Sequence, residues 1–213
     1  MDDITWPWRV GVGLSLLAVL AAVDLVRHPK NPTRIKEYGF ILASALLAMA
    51  YGVLHDAATY ALSPEYFTVG KGLESAKNGY FPSVAILALK ASWSVGLVVG
   101  LVFVVVNNPS KRWAQLPYRR LVRFFALPAI ASICVAGLFG LSARALSADL
   151  VPRLDLDRIG LGDPENFLTV WAIHNGTYLG ALIGVIAGAI GILWTRRRSA
   201  FVPTEERIAG WCS

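Results

Sequence analysis

Five stretches of this chain stay apolar over about 20 residues, enough for a helix to cross a hydrocarbon core of about 30 Å. They are Trp8–Val26, Gly39–Leu62, Val84–Val106, Leu121–Leu146 and Phe167–Trp194. Inside lipid a backbone must satisfy its own polar groups, so each stretch is expected to be a helix. Composition agrees. The chain is 55% hydrophobic and only 16% charged, against about 25% charged in an ordinary soluble domain. The expected fold is all-α: one polytopic bundle of five transmembrane helices filling residues 1–213, with a short tail from 195 to 213. Little chain remains for a soluble domain. No Rossmann or P-loop glycine motif is present. Cys134, inside an apolar run, and Cys212, near the C-terminus, make no disulfide framework. The leading "MDDITWPWR" is acidic, and no small-residue cleavage site closes the first run, so it reads as a retained helix rather than a signal peptide.

The net charge of +6 raises the question of nucleic acid. Its distribution argues against that and for orientation in a membrane. Arg27, Lys30, Arg34 and Lys36 fill the first connection, Lys111, Arg112, Arg119 and Arg120 the third, and Arg196, Arg197 and Arg198 open the tail. The second connection is balanced. The fourth is acidic through Asp149, Asp155, Asp157, Asp163 and Glu165. Positive charge belongs on the cytoplasmic side, so the N-terminus is expected outside and the C-terminus inside, in the inner membrane of a bacterium. Aromatic residues suit the interfaces: Trp6, Trp8, Tyr80 and Phe81 outside, Trp113, Tyr118 and Trp194 inside.

This topology assigns a depth to each intramembrane polar residue. His55 and His174 both fall about 10 Å below the outer end of their spans, and Lys90 about 9 Å, at 1.5 Å per residue. Arg144 is within a turn of the outer end of the fourth span. Ionisable groups in lipid are costly, so these should face the bundle interior or a wet cavity and find partners. Ser44, Ala48 and Gly52 form a small-residue ridge that runs on to His55, Asp56 and Thr59, which turns that pair inward. Gly176, Gly180, Gly184 and Gly188 form a second ridge, with a weaker one at Gly96 and Gly100. These are packing surfaces, within the protein or between copies of it. His174 points about 160° away from Gly176 at 100° per residue.

His55, Asp56, Glu65 and His174 are suitable ligands for a transition metal such as zinc, copper or iron. No HExxH, CxxC or HxxxH spacing accompanies them. The leading expectation is a polar, metal-binding site in the outer half of the bundle, with Glu65 as lid or fourth ligand. An enzyme of this type would act on a lipid-soluble or periplasmic substrate. Two other readings stand beside it. One is a transporter or channel for protons or a small ion, with histidine and carboxylate titrating in a partly wet cleft. The other is an accessory or scaffold subunit of a larger membrane complex, joined through the glycine ridges. A purely structural network would pair Lys90 and Arg144 with Asp56 and Glu65. In "SPEYFTVGKG", Ser63 and Pro64 open a helical turn, which is expected at the interface with Tyr66 and Phe67 anchored among the headgroups. Asp24 forms an interfacial ion pair with Arg27 or His28.

The stretch "HDAATYALSPEYFT", His55 to Thr68, resembles a motif in an uncharacterised family of small bacterial multi-pass membrane proteins. There a histidine–aspartate pair closes a span and is followed by a threonine and then by EYFT. The matching residues are His55, Asp56, Thr59, Glu65, Tyr66, Phe67 and Thr68, with Lys71 where a basic residue or histidine follows. The resemblance implies a membrane location and no particular activity.

Overall fold

The computed structural model describes residues 5–30, 34–110 and 113–200. The expected basic residues Lys111 and Arg112 and the tail with Cys212 lie outside the described residues, as does the side chain of Asp157. Among the described residues, five helices are long and apolar enough to cross a membrane. They are α1 (Thr5–Arg27), α2 (Arg34–Leu62), α3 (Ser83–Val106), α4 (Tyr118–Ala145) and α6 (Pro164–Ala200), with a short α5 (Ser147–Arg153) before α6. The described residues contain no strand. Each long helix contains the apolar stretch expected for it except at the last residue of the fourth, and α2, α4 and α6 begin several residues earlier. Polar starts such as Arg34–Glu37, Tyr118–Arg120 and Pro164–Glu165 continue the helical hydrogen bonding beyond the apolar window.

Two helix pairs build the bundle. In the first, α3 presents Gly96 and Gly100 to α2, where an added Cβ would meet Ala45 Cα at 2.5 Å and Ile41 Cα at 2.9 Å. The Ser44 hydroxyl donates to the Gly96 carbonyl at 2.6 Å across this seam. In the second pair, Gly176, Gly180 and Gly184 of α6 lie on the α4 backbone at Ala136, Ala131–Ser132 and Pro128. The fourth glycine of that ridge, Gly188, faces the Phe103 ring of α3. All four therefore pack inside the protein. Pro128 has no N–H, and its ring crowds the carbonyl four residues earlier; the chain is wound more tightly just there, over Val122–Phe125.

The pairs meet at their two ends. At the end where α2 begins, Phe40, Phe103 and Phe125 stack, with centroids 4.7 Å apart for Phe40–Phe125 and 5.8 Å for Phe103–Phe125. Buried Arg196 lies at the same end. It donates to the Asn108, Trp113 and Ala114 carbonyls at 2.6, 3.1 and 3.0 Å and also to Val106. It thereby satisfies carbonyls at the C-terminus of α3 that no helical N–H can reach. At the opposite end, Tyr66, Phe67, Val84, Leu168 and Val170 form a second buried cluster. Between the two clusters the pairs diverge and leave a cavity. Helix α1 is the most peripheral. It is held by Trp6 against Trp93, 6.4 Å between ring centroids, and by Asp24, which accepts from the Arg34 backbone N–H at 2.8 Å. Asp24 is also 3.0 Å from His28 Nδ1.

Candidate metal centre

The last two turns of α2 carry the site. Gly52 packs on Ser92 of α3, which fixes the face that α2 turns inward. His55 and Asp56 follow on the inner side, His55 with its ring 5.8 Å from that of Tyr51 one turn below. Helix α6 descends from the same end and brings His174 to them. The two imidazole centroids lie 4.7 Å apart, at 81°. All three side chains are largely buried, at 12% exposure for His55, 14% for Asp56 and 6% for His174. The expected convergence of two histidines and a carboxylate from different spans is therefore present. One ligand atom from each lies within 4.8 Å of the others, so the group could hold a metal ion.

The hydrogen bonds orient each ring. His174 Nδ1 donates to the Val170 carbonyl at 3.0 Å, one turn back. Neutral His174 therefore carries its lone pair on Nε2. That atom lies 3.3 Å from Asp56 Oδ1, yet it is out of line for a hydrogen bond and has no other hydrogen-bond partner. A cation shared between the two, whether a proton on Nε2 or a metal ion, removes the conflict between that lone pair and the buried carboxylate. His55 is bound on both sides. Its Nδ1 is 3.0 Å from Asp56 Oδ1, and its Nε2 is 2.9 Å from the Thr177 hydroxyl. Thr177 was not among the residues singled out from sequence. Its place three residues after His174, on the same helix face, is the signal that would have found it.

A roof covers the group. After α2 the chain makes a π-helical turn at Tyr66–Gly70 and a tighter turn at Glu74–Asn78. Ser63 and Pro64 open this turn, as expected from sequence. Tyr66 and Phe67 do not reach the headgroups, however. They are 4% and 0% exposed, with ring centroids 4.4 and 5.9 Å from that of His174. The turn folds back over the bundle because the aromatic rings gain more contact there, against Phe167 and His174, than at an interface. Burial, then Tyr178 and the Asp56 carboxylate, push the Tyr66 phenol up from its ordinary value, so it remains neutral. Two tyrosines anchor the roof to α2: Tyr60 of α2 donates to the Ala76 carbonyl at 2.8 Å, and Tyr80, after the roof, donates to the Val53 carbonyl of α2 at 2.7 Å.

Glu65 is held apart from the metal-competent group. Its carboxylate accepts the backbone N–H groups of Gly162 and Asp163 at 2.7 and 3.0 Å, clamping the roof to the turn that precedes α6. The ion pairs expected for Lys90 and Arg144 also differ. Arg144 pairs with Glu165 at 2.6 Å, and the Lys90 ammonium lies 5.9 Å from the Trp6 ring centroid. Asp56 is instead flanked by its two histidines.

Below the group lies a cavity of about 220 Å³. Its polar end consists of His55, Asp56, His174, Thr177 and Lys71; the rest is mainly apolar, through residues such as Leu47, Ala88, Val95, Val99 and Pro128. The Lys71 ammonium stands 5.2 Å from the Tyr66 ring centroid. Comparison with protein-family models, curated proteins and solved structures finds no match. The resemblance at His55–Thr68 therefore has no support beyond those residues, and function must be argued from the site itself.

Proposed function

We propose that this chain is a bacterial inner-membrane protein in which His55, Asp56 and His174 bind one divalent transition metal, zinc in the first instance, at the centre of a membrane-embedded enzyme. The observation that carries this reading is the position of His174 Nε2, buried, without an aligned hydrogen-bond partner among the described residues and 3.3 Å from a carboxylate oxygen. Three further features support it. Donor atoms bound to one tetrahedral zinc at about 2.0 Å sit about 3.3 Å apart; the His55–Asp56 and His174–Asp56 separations are 3.0 and 3.3 Å, and all three ligand atoms lie within 4.8 Å of one another. Metal-binding histidines usually donate their other N–H to a carbonyl or carboxylate, as His174 does to Val170. Finally, three protein ligands beside a cavity leave a fourth position open, the pattern of catalytic rather than structural zinc.

A bound zinc would supply Lewis acidity and an activated water. The protein's own residues would orient the ligands, through Val170 and Thr177, and exclude bulk water, through the Tyr66–Phe67 roof. The corresponding reaction class is metal-assisted hydrolysis of a lipid-soluble molecule. The orientation that goes with it has the N-terminus outside, which places the centre in the outer half of the membrane; the charge pattern of the connections supports it.

The test is elemental analysis of the protein purified without chelator. About one zinc per chain is expected, falling sharply in His55→Ala, Asp56→Asn and His174→Ala and unchanged in Lys90→Ala. Wild-type protein that carries no metal and takes up none after dialysis against zinc would overturn the proposal.

The chain of contacts Thr177–His55–Asp56–His174 favours a second reading, proton handling. Against it, the cavity beyond these residues offers hydroxyls, of Tyr51, Ser132, Ser92 and Ser44, but among the described residues no further histidine or carboxylate to carry a proton onward. Proton flux in liposomes above that of empty vesicles would favour this reading over the enzyme.

A further inference from the structure

We propose that the cavity seats the hydrocarbon tail of a single-chain anionic lipid whose headgroup reaches the open position of the metal centre. This rests on the metal reading above and names the ligand class of that site: an alkyl phosphate as substrate, with its P–O ester bond broken by water, or a fatty carboxylate as the product of ester hydrolysis.

Length supports a lipid tail. The lining of α2 runs from Ser44 to Asp56 and that of α3 from Leu87 to Val99, each about 18 Å at 1.5 Å per residue. One leaflet supplies about 15 Å of hydrocarbon, half of a core of about 30 Å. The groove is thus as long as one acyl chain; it starts about 10 Å below the outer end of α2 and runs past the midplane, which draws the headgroup below the outer interface. Width supports a single chain. The volume of about 220 Å³ is below the ~300–1,000 Å³ of pockets that hold drug-sized molecules, which favours one thin chain over a bulkier ligand. Access is lateral, since lining residues Leu47, Val95 and Tyr178 are exposed at 53%, 40% and 55% on helices that would face the bilayer.

The polar end selects the headgroup. A chain lying in the groove would end at His174, whose Nε2 is buried and without a hydrogen-bond partner. With a divalent ion bound, Asp56 offsets one of its two charges and the imidazoles none, and Lys71 adds another positive charge at the mouth. The net charge facing the headgroup is positive, which favours a carboxylate or phosphate over a choline or an alcohol.

The experiment uses palmitate and hexadecyl phosphate carrying a photoactivatable diazirine at mid-chain, with the full-length protein in neutral detergent, with zinc and after chelation. Saturable labelling of the α2 and α3 segments that line the groove is expected, and unlabelled palmitate should compete it away. Ala91→Phe, which fills the groove, should reduce labelling about tenfold, equivalent to about 1.4 kcal/mol, and retain its zinc. Lys71→Gln should weaken the anionic probes several-fold and leave a diazirine hexadecanol unchanged. The wild-type competition stands whether or not Ala91→Phe folds. Labelling that is unsaturable and spread over all lipid-facing helices would overturn the proposal, and so would equal labelling by the alcohol. Crosslinks from the groove to a second copy would do the same. Groove labelling in a protein that never binds zinc would sink the proposed function and the headgroup assignment while leaving the tail seat in place. Zinc bound without groove labelling would sink only the lipid proposal.

Discussion

Replacing Gly180 by alanine tests how the site's scaffold is built. A Cβ at Gly180 would meet Ser132 Cα at 2.6 Å and the Ala131 carbonyl carbon at 2.8 Å, with the Ala131 oxygen closer still. These are backbone atoms, so no side chain can rotate away and α4 and α6 must separate. Overpacking of this kind costs about 1–3 kcal/mol, and contact with rigid backbone puts Gly180 at the upper end. The substitution also removes a helix-interior glycine, which returns about 1 kcal/mol. Gly137→Ala isolates that second effect, because Gly137 lies in α4 with nothing within 4 Å of its added Cβ. The difference between the two variants should then be about 2–3 kcal/mol against Gly180→Ala. At about 2–4 °C per kcal/mol for a chain of this size, that is a gap of about 4–12 °C in Tm. Thermal unfolding in one detergent, with both variants side by side, measures it. Equal Tm values would mean that α4 and α6 do not pack through this ridge, and the placement of His174 would lose its support.

Three shorter predictions follow from the same contacts. Thr177→Val removes the hydroxyl 2.9 Å from His55 Nε2 and should weaken zinc affinity about 10–100-fold, as loss of an outer partner of a ligand histidine does; competition with a chromogenic chelator reads this directly. Glu65→Ala removes the acceptor of two backbone N–H groups and should lower stability by about 1.5 kcal/mol, at the low end for hydrogen bonds to a charged group because the site is exposed, while zinc stoichiometry stays at the wild-type level; loss of zinc instead would restore Glu65 as a ligand. In a background lacking Cys134 and Cys212, Glu74→Cys and Ser110→Cys should label from opposite sides of the membrane, with position 74 outside, and labelling from one side would refute the proposed orientation.

The five long helices were readable because an apolar window of membrane length leaves little choice of structure. The convergence at the site was readable for a related reason. Once the helices alternate in direction, position along the chain becomes depth, and His55 and His174 fall at one level. The inward turn of His55 and Asp56 followed from the small residues below them, Ser44 and Gly52, which do pack on α3. What could not be read was non-local. Glu65 is held by amides 97 and 98 positions away, and nothing in the local spacing of "SPEYF" announces them. Tyr66 and Phe67 look like interfacial aromatics because such residues usually are. Only the folded roof reveals that Phe167 and His174 offer them a buried alternative. The glycine ridge of α6 announced a close contact without naming its partner, since small residues pack equally well on any helix.

The most direct test of the central claim is the X-ray absorption spectrum of the zinc-loaded protein. The account predicts a four-coordinate site with two imidazole nitrogens and carboxylate oxygen, all at about 2.0–2.2 Å, and no sulfur. In His174→Ala, the zinc that remains bound under excess zinc should show half the imidazole signal per zinc. A shell of oxygens alone, a sulfur at about 2.3 Å from Cys134, or a spectrum unchanged by His174→Ala would contradict it.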